Sequence, residues 1–284
     1  MKFPLYIALR YLFAKKSHNA INIITAISAT GVMVGAMSLV IVLSVFNGLE
    51  RLILSLFNAF HPDLEIRIVE GRAFHAEDLP LDALSKIPGI YVMGQVLEET
   101  ALITYRNKQQ LITMRGVCEN YGRITGIDTL MTEGVYFQGN NENQLIMGLG
   151  VAMTLNAPLD DFMNPMVLYV PRRGRIGMMN PAQAFVSESA YPTGVFSVHA
   201  DYDAEYVLVP IELARRLTAR PGGISMLALK VDGTVTAAEV QREVENALGG
   251  AFSVKSRIQQ QEFLYKIMQS EKTVIFLILS FILL

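Results

Sequence analysis

Tryptophan is absent from these 284 residues, cysteine occurs once, and only 18% of the residues are charged. Soluble domains carry about 25% charged residues beside a similar apolar share. A chain that is 51% hydrophobic with a mean hydropathy of +0.34 is therefore no ordinary soluble globule. The lone Cys118 excludes an intramolecular disulfide, so any part of the chain outside a reducing compartment is stabilised by its core alone. With no histidine beside it, Cys118 reads as a small hydrophobe. Basic excess is missing too: 24 Lys and Arg against 26 Asp and Glu argue against a nucleic-acid partner.

Signatures of catalysis are equally scarce. No G-x-x-x-x-G-K-[ST] occurs, so if ATP drives this protein another chain binds it. Gly148-Leu149-Gly150 follows an apolar run, but Met153 stands where a dinucleotide loop needs its third glycine. His199, Asp201 and Asp203 alternate as metal ligands on one strand face could, yet no H-E-x-x-H or second histidine cluster supports them, and a polar loop between strands is the better reading. His61 with Asp63, and Asp160-Asp161, read as cap and loop residues. Ser187 to Ser189 lack a G-x-S-x-G setting. No catalytic, metal or cofactor-binding residue is assigned.

Charge is missing altogether from Ser17 to Leu49, and Ile21 to Phe46 is mostly apolar, longer than the roughly 20 residues that cross hydrocarbon. A cleaved signal peptide would have an apolar core of about 7 to 15 residues and an A-x-A-like end. Neither is present, so this is read as a membrane helix. Lys2, Arg10, Lys15 and Lys16 precede it with no acidic residue, which holds the N-terminus in the cytoplasm and exports the domain on the helix's other side. Leu5, Leu9 and Leu12 at helical spacing, with Tyr6 and Tyr11, suit a segment lying on the inner interface. Within the helix Gly31, Gly35 and Ser38 make a small-residue face suited to close helix packing. Met33, Met37, Val40, Ile41 and Val45 are suited to acyl chains or neighbouring helices. Thr273 to Leu284 is again uncharged, but twelve residues rise only about 18 Å, so a second span is expected to be cut short there.

Between these runs lies a domain with 20 basic and 26 acidic residues. Leu49, Leu52, Ile53, Leu56 and Phe60 share a helical face, and the membrane helix is expected to continue outward until His61-Pro62 breaks it. Strands are expected at 63–69, 91–97, 100–105, 109–117, 166–170, 196–199, 206–209, 224–231 and 251–254, with a turn at Arg106-Asn107-Lys108. Residues 78–86 read as a short helix, 144–154 as a strand running into a helix, and 256–272 as a helix. Thr236 and Glu239 form a capping box for a helix that Gly249-Gly250 ends. The expected division is a cytoplasmic segment (1–16), the first membrane helix and its extension (17–60), an α+β subdomain split into 61–118 and 224–255, an inserted β-rich subdomain (119–223), and a stalk with the second membrane helix (256–284). Pro171 to Gln183 is too long for a tight turn and should project. Its Pro171, Arg172, Arg173, Arg175, Ile176, Met178, Met179 and Pro181 combine residue types enriched in binding surfaces.

Several motifs carry a family likeness. Tyr6-Ile7-Ala8-Leu9-Arg10-Tyr11-Leu12, Ser17-His18-Asn19, Ser44-Val45-Phe46-Asn47-Gly48 and the run from Phe263 to Leu279 resemble the Lol-type lipoprotein-releasing ABC permeases of the MacB/FtsX permease superfamily. So do Ile146-Met147-Gly148 through Leu155, Tyr169-Val170-Pro171, and Pro192-Thr193-Gly194-Val195-Phe196 before Tyr202-Asp203. The resemblance implies an α+β periplasmic domain with two subdomains, carried on two long membrane-spanning helices in the bacterial inner membrane. It implies a non-enzymatic subunit paired with a second permease, and a cytoplasmic ABC ATPase that uses ATP and Mg. Lipoprotein substrates and membrane lipids would be its other partners, and residues 171–182 a hook for a periplasmic lipoprotein carrier. Alternatives within the superfamily are a MacB-type mechanotransmission efflux permease and an FtsX-type scaffold for cell-wall hydrolases.

Overall fold

A computed structural model describes residues 7, 10, 19–57, 60–137, 142–161, 163–172, 184–260 and 262–283. Two units are compact by themselves: residues 1–52 with 263–284, and the lobe of residues 53–262. Leu5, Tyr6, Leu9, Tyr11 and Leu12 lie outside the described residues.

Helix α1 runs from Asn19 to Phe57 without interruption, so the helix continues past the apolar segment, its described part ending at Phe57. Within it Ile23–Leu49 is long and apolar enough to cross a membrane, the one such helix among the described residues. The last helix, Glu262–Leu283, does not meet that standard over its described part. It is nonetheless joined to α1, since the Lys272 ammonium donates to the Asn47 side-chain carbonyl at 2.6 Å.

In the lobe, alternating apolar residues make strands β1 (Leu64–Ile68), β3 (Ile90–Tyr105) and β4 (Lys108–Val117). β2 (Phe74–His75) and β10 (Gly223–Ile224) form a small separate pair. The other strands are β5 (Met131–Gly134), β6 (Gln144–Gly148), β7 (Met166–Pro171), β8 (Phe185–Phe196), β9 (Tyr206–Pro210), β11 (Met226–Val231) and β12 (Phe252–Ser256). Ten of them pair in the order β12-β1-β11-β3-β4-β9-β6-β8-β5, with β7 bridging β3 and β8. The bridge closes a circuit: β3, β4, β9, β6, β8 and β7 each pair with the next, and β7 returns to β3 through Leu102 opposite Tyr169. The halves 61–118 and 224–255 meet where β1 and β3 flank β11. Strands from residues 119–223 continue the same sheet through β4 and β9.

The circuit is filled rather than hollow. Ile103, Ile112, Met114, Met147, Leu168 and Val209 are all buried in one core, with Leu213 and Leu217 of the helix Ile211–Thr218. That helix was not legible in the sequence. It packs against β3, β4, β7, β8 and β9. A second core gathers Phe60, Tyr121, Phe196 and Met226, and a third joins Val240 and Val244 of the helix Ala237–Leu248 with Leu64 of β1, Leu229 of β11 and Val254 of β12. Thr236 caps that helix as expected, its hydroxyl accepting from the Glu239 amide.

Several expected boundaries are corrected. The two strands expected at 91–97 and 100–105 are one strand of 16 residues, because β4 pairs along it from Val96 to Tyr105. The hairpin turn is one residue shorter than expected: Tyr105 faces Lys108, and Arg106 takes the left-handed conformation (φ 52°) that so tight a turn requires. The strand expected at 196–199 ends at Phe196. Residues 78–86 give a 3₁₀ turn at Ala76–Asp78 and one helical turn at Leu81–Leu84, since Pro80 intervenes. His199 to Asp203 is not a loop, because Ala200–Glu205 is a helix capped by His199.

Candidate functional site

Three places carry the residues singled out above or the strongest electrostatics of the lobe. The first is the described end of the ladder from which the segment at 171–183 is expected to project. β7 and β8 pair from Met166 opposite Ala190 to Pro171 opposite Phe185, and the Arg172 amide donates to the Ala184 carbonyl at 2.7 Å. Pro171 and Arg172 thus stand exposed at the described end of a long two-stranded ladder. Arg173, Arg175, Ile176, Met178, Met179 and Pro181 lie outside the described residues.

The second is α1. Met33, Met37, Val40, Ile41 and Val45 are each more than half exposed. Gly31 has open space where a Cβ would stand, whereas Gly35 and Ser38 are partly covered.

The third is the place where the chain enters and leaves the lobe. Three residues beyond the end of α1, Phe60 is completely buried. Its ring lies 4.6 Å from that of Tyr202 and 4.8 Å from that of Tyr206, and the Arg115 guanidinium sits 4.0 Å above it. Arg115 Nη1 donates to the Phe60 carbonyl at 3.2 Å and to the Tyr121 hydroxyl at 2.8 Å, and that hydroxyl donates in turn to the same carbonyl at 3.3 Å. The rest of the guanidinium is held by Glu98, with Nε at 2.7 Å and Nη2 at 2.6 Å from Oε1. Arg67 binds the other Glu98 oxygen at 3.1 Å and reaches Glu65 at 3.2 Å. Burial disfavours the Glu98 carboxylate, but Arg115 and then Arg67 outweigh it and hold its pKa below the usual range. Arg115 is likewise desolvated, and Glu98 more than compensates.

His61 is next in the chain, its Nε2 at 2.8 Å from the Tyr202 hydroxyl. Desolvation, then the charge of Arg115, push its pKa down to about 4. Asp63 accepts from Arg257 at 2.6 Å and from the Val231 amide at 3.0 Å, and Gln260 donates to the Pro62 carbonyl at 3.2 Å. Residues 60–63, where the chain comes in, are therefore sewn to residues 257–260, where it goes out.

Sequence reasoning treated His61 and Asp63 as cap and loop residues and missed Glu98 with Arg115. The signal was present, because a turn confined to Arg106-Asn107 puts Glu98 opposite Arg115 across the hairpin. A turn one residue longer slips that register and flips the face.

The other candidate chemistry is structural here. Asp203 turns inward to the Ser197 hydroxyl and the Val198 amide, both at 2.8 Å, while Asp201 points to solvent, so their carboxylates do not converge. Asp161 accepts from the Tyr105 hydroxyl and from Arg106, both at 2.5 Å, and ties down the hairpin turn. Gly148 and Gly150 serve packing: a Cβ on Gly148 would lie 2.3 Å from the Asp203 carbonyl oxygen, so bare backbone lets the helix Ala200–Glu205 approach.

A helix long and apolar enough to cross a membrane and a mixed α/β lobe set the class of the protein, and the comparisons with known proteins refine it. The model of the MacB-like periplasmic core domain matches residues 25–247, and the chain belongs to that family. Among curated proteins it is similar to the lipoprotein-releasing system transmembrane protein LolE of Haemophilus influenzae, 23% identical over 98% of this chain and 66% of that protein. It is also similar to LolC of Neisseria meningitidis serogroup B, 25% identical over 98% of this chain and 66% of that protein. The chain thus spans just under two thirds of the length of these relatives. In fold it is similar to the extracellular domain of YknZ, a noncanonic ABC-type transporter from Gram-positive bacteria, with a TM-score of 0.50 at 13% identity, covering 68% of this chain and 99% of that one.

Proposed function

We propose that this chain is part of a permease subunit of an ABC transporter that extracts lipoproteins from the bacterial inner membrane and passes them to a periplasmic carrier. The observation that carries this reading is the similarity to LolE and LolC, both named for lipoprotein release, along 98% of the chain. The lobe would stand in the periplasm on two membrane helices, residues 17–60 and 256–284. Residues 61–118 with 224–255 would act as one subdomain and 119–223 as a second. The subunit would not be an enzyme itself: it would bind no cofactor, and a cytoplasmic ATPase partner would use ATP and Mg.

A second permease would pack on the Gly31, Gly35 and Ser38 face, and acyl chains would enter beside Met33, Met37, Val40, Ile41 and Val45. Hand-over has to be direct, since each CH₂ buried is worth about 0.8 kcal/mol and a multiply acylated protein does not leave for water unaided. The carrier would be received on residues 171–182. Photo-crosslinkers at Met178 and Met179 of the full-length permease should trap the carrier, and silence at every position from 171 to 182 would remove that role.

A further inference from the structure

We infer that Arg115 is a positioning residue that clasps the Phe60 backbone, so that a displacement of α1 is delivered to the β3–β4 hairpin instead of being lost in the joint. The inference rests on the permease reading, in which such a displacement originates at a partner ATPase.

Its first support is geometric. Only residues 58 and 59 separate the end of α1 from a carbonyl that receives two donors, and the chain beyond it is stiffened by Pro62 and sewn to Arg257 and Gln260. Arg115 lies on β4 and its counter-ion Glu98 on β3, opposite one another. The guanidinium therefore couples the Phe60 carbonyl to both strands of the longest hairpin in the described lobe, while the ring beneath it blocks sideways escape.

The second support is energetic. Replacing a buried ion pair by apolar side chains of similar volume is often neutral or stabilising, so stability alone is a weak reason to keep one in a core. An apolar core also has no directional bond to offer a carbonyl. The guanidinium has five donors in a fixed plane, and here it spends them on Glu98, Tyr121 and Phe60. Lysine could hold Glu98 but could not reproduce that planar arrangement.

The test uses the complete permease assembled with its partners in nanodiscs, comparing wild type with Arg115→Lys and Tyr121→Phe. The second variant removes one hydroxyl and guards against a general folding defect. Two quantities are read: nucleotide-dependent amide exchange in β3 and β4, and lipoprotein released per ATP hydrolysed. The clasp is supported if both variants remain folded at the assay temperature with the wild-type ATPase rate, lose the nucleotide response of β3 and β4, and release about tenfold less lipoprotein per ATP, the worth of one charge-assisted hydrogen bond. Wild-type response and yield in both variants overturn the clasp and leave the permease reading standing. A wild-type complex that itself shows neither nucleotide response nor release overturns the permease reading, and the clasp's role with it.

Discussion

Phe60 and Arg115 meet twice, once through the backbone and once through the side chain: Nη1 lies 3.2 Å from the Phe60 carbonyl oxygen while the guanidinium carbon lies 4.0 Å above the Phe60 ring. One residue of the connecting segment is thus gripped by a hydrogen bond and by a cation–π contact from the same group. Because Glu98 keeps that group neutralised, the grip depends on a carboxylate that never touches Phe60. Glu98→Gln should leave Arg115 buried without its counter-charge and cost about 3–5 kcal/mol of stability. Denaturant titration of the full chain in detergent measures it. A loss below about 1 kcal/mol would show that the pair is not desolvated as described.

The same cluster makes stability depend on pH. His61 has its pKa pushed down from 6.5 to about 4, so the unfolded chain binds more protons than the folded one between those values, and stability falls as the pH falls through that window. The loss should be on the order of 3 kcal/mol. Glu98, with a depressed pKa, adds a contribution that is complete above its ordinary value of 4.5 and is lost at lower pH. Melting temperatures recorded from about pH 7 to pH 4 should decline, and His61→Gln should flatten the decline above pH 4.5. An unchanged slope in that variant would assign it to other groups.

Two glycines should behave in opposite ways. Gly148→Ala forces a methyl to within 2.3 Å of the Asp203 carbonyl oxygen and should cost about 1–3 kcal/mol, read as a lower unfolding midpoint. At Gly31 the same change meets open space, so the midpoint should not fall, helix propensity favouring alanine by up to about 1 kcal/mol. If the small-residue face receives a second permease, Gly31→Leu should reduce co-purification of that subunit. Full recovery of the complex would remove the packing role.

The hydrogen bond between Lys272 and Asn47 offers a test of the two-helix arrangement. Asn47→Cys with Lys272→Cys, in a chain whose Cys118 is replaced by alanine, should be joined in membranes by a short cleavable bis-thiol crosslinker, whose reach replaces that of the lysine side chain. Its electrophoretic mobility should return on reduction. Mobility unchanged by the crosslinker would separate the two helices.

Much of the architecture was legible because local rules agreed with the fold. The alternation of Leu64, Ile66 and Ile68 marks a half-buried strand, and Thr236 with Glu239 marks the start of a helix; both stand where expected. The short helix Ile211–Thr218 escaped because eight residues after Pro210 give too little periodicity to separate it from a strand end. The closure of the sheet escaped for another reason: nothing in β7 or β9 specifies a partner, and pairings such as Leu102 with Tyr169 depend on tertiary context. At the Arg115 cluster the residue types were visible but their meeting was not, since it hangs on a turn of two residues rather than three.

Strand β1 finds its neighbours at the far end of the lobe, Leu64 facing Leu229 on one side and Ser256 on the other. A polypeptide emerging from its N-terminus therefore carries an unmatched ribbon until nearly the whole lobe has been made. At synthesis rates of about 5–20 residues per second that interval is on the order of ten seconds or more. Throughout it the strand Leu64–Ile68, apolar on one face, is an open template for wrong pairing. Mispairing during synthesis is thus a hazard built into the topology, present before the lobe has any work to do.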